Sequence, residues 1–284
     1  MPCRFEMLAL AAVLTLTVCG ARAEDAKQYP NWTGQWEAAF PRMPGQQLRF
    51  DPSKPFGRGQ EAPLTDEYKK IYENNLAEVA QGRQGLFLYH ASCLPAGMPT
   101  MMSAGEFEFI VTPETTYIVV DNSDIRRIFT DGRPRPTDTQ PTYQGISIGR
   151  WLDESGEGRY DVLEVETRGP FKGPRVYDSS GLPLHFDNES TFKERIFSDK
   201  KNPNILHDVI TVFDHALTRP WTADKTFRRV QTKYPNWDRI SCLEGTTYIT
   251  VGKDYYMVTA DGYLMPTTKG QLPPDTRYFP QAQK

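Results

Sequence analysis

Two residues past the middle of the chain have the side chains that acid–base chemistry uses. His185, in GLPLHFDNES (181–190), lies two residues before Asp187, and such a pair could shuttle a proton. Glu194, in STFKERIF (190–197), shares one strand face with Phe192 and Ile196. A glutamate between two apolar neighbours needs a cation, and burial raises its pKa as a general acid or base requires. Arg195 points to the other face, so the partner must come from another strand, with Arg127 and Arg150 as candidates. The plainer alternatives are a surface-loop histidine and an edge-strand glutamate half in water. Asp131-Gly132-Arg133 is the third candidate. It reads either as a hairpin turn with both charges solvated, or as Asp131 near a pocket whose mouth holds Arg133, gripping a carboxylate or phenolate.

Metal chemistry has one candidate stretch, His90-x2-Cys93-x4-Met98-x2-Met101-Met102. These are soft ligands of the kind that hold Cu(I). The methionines serve equally as apolar filler of a cavity wall, the reading preferred here. His207 and His215 fall on one strand face but are too far apart to share an ion. There is no Gly-x-Ser-x-Gly elbow, no Gly-rich phosphate loop, no His-Glu-x-x-His and no Cys-x-x-Cys. That disfavours the common hydrolases, nucleotide enzymes, zinc proteases and thiol oxidoreductases. A lyase, isomerase or dehydratase without a cofactor remains open, because one acid, one base and a shaped cavity suffice for it.

The elements that must position these residues are mostly strands. Residues 1–23 read as a secretory signal: Arg4, the apolar run MLALAAVLTLTV (7–18), then Ala21-Arg22-Ala23 as a cleavage site. The mature chain then begins at Glu24 and is periplasmic or secreted. Cys93 and Cys242 remain in it, either as a disulfide, the favoured reading in an oxidising compartment, or as two buried thiols. With 33 Lys+Arg against 36 Asp+Glu, the chain has a net charge of −3 and no basic stripe, which argues against nucleic acid. No later stretch is apolar enough to cross a membrane as a helix. Residues 64–81 (LTDEYKKIYENNLAEVAQ) show helical spacing behind a Thr65 cap. Period-two segments start near 33, 106, 116, 125, 146, 159, 190, 207 and 226, about nine strands with turns between them. Consecutive strands without intervening helices predict an all-β, antiparallel barrel or sandwich, one domain over 24–284 with a polar tail.

Gly34-x-Trp36 near the first strand resembles the lipocalin signature. That resemblance implies a barrel closed at one end by Trp36, with a basic side chain of the last strand, here Arg228 or Arg229, across its ring. On the same reading Gly34 is needed for close approach to a neighbouring strand. CLPAGMPTMM (93–102), IRRIFTDGRPRP (125–136), GISIGRW (145–151) and ALTRPWT (216–222) resemble a large family of exported bacterial proteins of unsettled activity. This chain carries Arg135 where that family often has a histidine. Taken together, the sequence predicts a lipocalin-like barrel binding a small hydrophobic or aromatic molecule. Phe107, Phe109, Tyr143, Trp151, Met98, Met101 and Met102 would supply apolar wall, and Arg127, Arg133 and Arg150 polar anchors. The alternatives are a cofactor-free enzyme in the same cavity and an envelope protein with a filled core.

Overall fold

A computed structural model describes residues 28–39, 54–55, 57–59, 61–81, 95–103, 106–120, 124–172, 175–178, 180–185, 187, 189–232, 248–251, 254–258 and 264–271. The expected signal at 1–23, together with His90, Cys93 and Cys242, lies outside these residues. Nine strands close into one barrel. They are β1 (Gln35–Ala38), β2 (Glu106–Val111), β3 (Thr115–Val120), β4 (Asp124–Phe129), β5 (Ile146–Leu152), β6 (Val162–Arg168), β7 (Thr191–Ser198), β8 (Ile205–Phe213) and β9 (Trp221–Arg229). Each strand pairs with the next, and β1 closes the ring against β9. All pairings are antiparallel except β4–β5, a parallel seam with only two register pairs, Ile128–Ser147 and Phe129–Ile148. The fold is therefore an all-β, lipocalin-like barrel, as the period-two segments predict.

Alternation sets the interior. Phe107 and Phe109 of β2, Ile118 and Val120 of β3, Leu163 and Val165 of β6, Phe192 and Ile196 of β7, and Ile210 and Val212 of β8 are buried, with half-exposed or exposed residues between them. Strand-to-strand contact on one face of a pleat lets these side chains form one continuous core. The barrel also receives side chains from outside its strands. Met98, Met101 and Met102, around a 3-10 turn at Thr100–Met102, join the core, as do Tyr177, Leu182 and Leu184.

The first turn shows why two tryptophans flank a glycine. Trp36 is fully buried and donates from Nε1 to the Trp32 carbonyl at 3.0 Å. The Arg229 guanidinium lies 4.3 Å from the centre of its ring, a cation–π contact as expected. Arg228, the other candidate, pairs instead with Glu37 on the outside. The role expected for Gly34 needs correction. A Cβ there would make only an ordinary contact with Arg229, so close approach is not the constraint. Its φ of +90° is, since side chains with a Cβ avoid that region. Trp32 is buried against Phe109 and Trp151, and its Nε1 donates to Ser198.

Helix α1 (Asp66–Ala80) is capped by Thr65, whose hydroxyl accepts from the Tyr68 N–H. It buries Tyr68, Tyr72 and Leu76. Asn75 Nδ2 donates to the Ser180 carbonyl at 2.9 Å, and the Tyr72 hydroxyl lies 2.8 Å from Ser180 Oγ. These bonds hold the 180–185 segment beside the helix. One boundary shifts most, and one sheet is added. β9 starts at Trp221, five residues before the predicted 226, and a separate three-stranded sheet, β10 (Tyr248–Val251), β11 (Asp254–Val258) and β12 (Leu264–Pro266), occupies sequence that gave no strand signal. Among the described residues no helix is long and apolar enough to cross a membrane.

Candidate binding site

The barrel interior holds a charged group on each of four strands: Arg126 on β4, Glu194 on β7, Asp208 on β8 and Lys225 on β9. Glu194 is 2% exposed, as the Phe192-Glu194-Ile196 spacing requires. Its partner is Arg126 and not Arg127 or Arg150. Arg126 Nη1 donates to Glu194 Oε1 at 2.9 Å, and Nη2 donates to Oε2, a two-pronged contact between fully buried side chains. Two of the three remaining guanidinium hydrogens are also used. Nε donates to Ser147 Oγ at 3.2 Å and Nη2 to Thr167 Oγ1 at 2.9 Å, and those two hydroxyls lie 2.8 Å apart. Arg126, Ser147, Thr167 and Glu194 therefore form one satisfied network across β4, β5, β6 and β7.

Asp208 differs. It is 0% exposed, and neither carboxylate oxygen has a hydrogen-bond partner among the described residues. Burial, reinforced by the nearby Glu194 charge, pushes its pKa well above the ordinary aspartate value, although Lys225 and Arg126 oppose the shift. Lys225 stands directly across from it in the β8–β9 register. Its ammonium lies 4.6 Å from the Tyr177 ring centre and 3.5 Å from the Pro99 carbonyl, to which it donates. Desolvation holds the Lys225 pKa below its usual value, against the pull of Asp208 and Glu194. The interior thus contains a fixed ion pair and an acid with no hydrogen-bond partner among the described residues.

Of the apolar candidates, all but Tyr143 are buried in the core. Phe107 and Phe109 are buried, with Phe107 edge-on to Phe227. Trp151 is buried and donates from Nε1 to Thr116 Oγ1 at 3.2 Å. Met98, Met101 and Met102 are all 2% exposed or less. Tyr143 is half-buried, and its carbonyl accepts from Met98 N–H and from Arg175.

The arginine anchors lie elsewhere. Arg127 is exposed on β4, because Arg126 takes the inward position. Arg150 is exposed and pairs with Glu164. Arg133 is exposed in its turn, where it chelates Asp131 and lies over the Phe129 ring. Asp131 is held below the usual carboxylate range by that contact with Arg133. Arg135 donates to the Ile146 and Glu166 carbonyls, tying β5 to β6 near the parallel seam.

His185 lies outside the polar interior. Its N–H donates to Asp214 Oδ1, its ring contacts Tyr68 and His215, and its Nδ1 is 2.9 Å from Asp187 Oδ2. Glu194, by contrast, bonds to Arg126, so the expected acid and base have separate partner sets. Arg126, Asp208 and Lys225 escape sequence reasoning. The signal that reaches Asp208 and Lys225 is alternation itself, since each falls at an even step from a core residue, Ile210 or Phe227. Comparison of the chain with protein-family models, with curated proteins and with solved structures gives no match.

Proposed function

We propose that this chain is an exported binding protein whose barrel takes a small, mostly hydrophobic or aromatic molecule bearing one hydrogen-bond donor. The observation that carries the reading is Asp208, a fully buried carboxyl group with both oxygens unpaired. Buried polar groups in folded proteins are almost always hydrogen-bonded, because an orphan costs free energy. A donor on a ligand supplies the missing partner. The surrounding Phe, Ile and Met side chains supply the apolar contact such a molecule needs. Ionised or protonated, Asp208 can accept from that donor; protonated, it can also donate to a carbonyl.

A second reading, cofactor-free lyase or isomerase chemistry, has one observation in its favour. Glu194 is clasped by Arg126, whereas Asp208 is left alone and pushed towards the protonated form. Carboxyl groups in unlike surroundings are what acid–base catalysis uses. The test of the binding reading is mass spectrometry of the mature protein, purified without denaturation from its own cells. A stoichiometric small molecule, present in the wild type and lost from Asp208→Leu, is the expected result. Wild type with no retained molecule, or equal retention in the variant, overturns it.

A further inference from the structure

We infer that His185, Asp187 and His215 form a binding site for a divalent first-row transition ion of the zinc type. This goes beyond the interior site and uses none of its residues. The three side chains converge where β7 begins and β8 ends, next to the Thr191–Phe213 register pair. Asp187 Oδ2 lies 2.9 Å from His185 Nδ1 and 2.6 Å from His215 Nδ1. All three ligand atoms fall within 4.8 Å of one another. Four ligands at zinc bond lengths of about 2.0–2.1 Å stand roughly 3.3 Å apart in a tetrahedron, so the two Asp187–histidine separations would open by only about 0.4–0.7 Å to receive an ion.

The Asp187 N–H donates to His185 Nδ1 at 3.1 Å, which marks that nitrogen as an acceptor whose single lone pair can instead bind a metal ion. The same nitrogen lies 2.9 Å from a carboxylate oxygen, Asp187 Oδ2. His215 brings a second imidazole nitrogen to the same oxygen.

The frame around the site is already fixed. Asp214 Oδ1 accepts the N–H groups of His185 and Ala216, and its Oδ2 accepts from Ser190 Oγ, so one carboxylate fastens both histidine-bearing segments. Asp187 Oδ1 accepts the Glu189 N–H, leaving Oδ2 for the ion. The Tyr68 ring of α1 packs on His185. Two imidazoles and one carboxylate suit zinc, cobalt, nickel or copper better than calcium or magnesium, which take oxygen ligands. His215 is two-thirds exposed, so a fourth position is open to water. Such an ion clips the chain entering β7 to the chain leaving β8.

The experiment uses tag-free mature protein, stripped with a chelator and dialysed, then titrated with Zn²⁺ against a chromophoric competitor. Co²⁺ is the spectroscopic probe in parallel. Expected are one ion per chain, visible d–d bands of low-coordinate cobalt, and affinity reduced at least about tenfold in His215→Ala and in Asp187→Asn. His215 is exposed, so its variant keeps the fold, which far-UV circular dichroism checks. No saturable binding by the wild type, or equal Zn²⁺ affinity in wild type and His215→Ala, overturns the assignment.

Discussion

In protein freed of any retained ligand, replacing Asp208 by leucine, an apolar side chain with the same number of heavy atoms, should stabilise the fold. An unpaired buried polar group costs roughly 1–3 kcal/mol, more when charged. Asp208 has 0% exposure and no hydrogen bond to either oxygen among the described residues, so the folded state carries that cost, reduced by the attraction of Lys225 and Arg126. Removing it should raise the urea-unfolding free energy by about 1–3 kcal/mol at pH 7, or the melting midpoint by roughly 2–4 °C per kcal/mol. The pH dependence follows from linkage. The folded-state pKa lies above the unfolded value of 3.8, so folded protein binds more protons in between. The favourable part is fully present below that unfolded value and is lost as pH rises through the folded one. The gain in Asp208→Leu should therefore grow from pH 4 towards pH 8. Asp208→Asn, which keeps the polarity and removes the ionisation, should abolish the pH trend with a smaller gain. Two variants both less stable than wild type, with a difference flat in pH, would show that Asp208 is satisfied inside the fold, and the binding proposal would fall with it.

Three further outcomes test the framework. Glu194→Gln should cost about 3–5 kcal/mol in urea unfolding, because it strands a buried guanidinium, while pairing it with Arg126→Met should recover most of that loss; equal losses in both proteins would refute the network. Gly97→Ala should destabilise by at least about 1–2 kcal/mol, since φ is +63° there and a Cβ would lie 2.3 Å from the Tyr143 carbonyl oxygen; an unchanged melting midpoint would contradict this. The hydrogen bond that His207 donates to Asp224 raises the His207 pKa, against desolvation. Its stabilisation is fully present below the unfolded value of 6.5 and lost as pH rises through the folded one. His207→Gln should thus cost of order 1 kcal/mol at pH 5.5 and less at pH 9, a contrast that chemical denaturation at the two pH values reads directly.

How far the sequence reached can be seen strand by strand. EFEFIV and TFKERIF alternate cleanly, so β2 and β7 and their inward faces follow from period two alone. DIRRIF does not alternate: two isoleucines flank two arginines, and a slip of one residue exchanges the faces. That is why Arg127 reads as the inward partner when Arg126 is the one buried. On β9, WTADKTFRR carries threonine, aspartate and lysine through its middle, so its start is hidden and Lys225 looks solvated. The His185–Asp187–His215 contact is invisible for another reason. His215 comes 30 residues after His185, and only the β7–β8 pairing brings the two together.

The satisfied network and the unsatisfied acid belong to one design problem. A barrel is as strong as its weakest seam, and β4–β5 has two register pairs where β6–β7 has seven. Arg126 Nε crosses that seam to Ser147, and its fork reaches Thr167 and Glu194 beyond. Burying such a pair is no gain in stability over apolar residues, because desolvation offsets the attraction. Its benefit is geometric: four donor directions fix four strands in one register, and a slipped strand would break several bonds at once. The same reasoning does not extend to Asp208, which makes no hydrogen bond among the described residues and so fixes no strand. On the proposed reading, a group that costs stability and adds no order is kept for the molecule it meets inside the closed barrel.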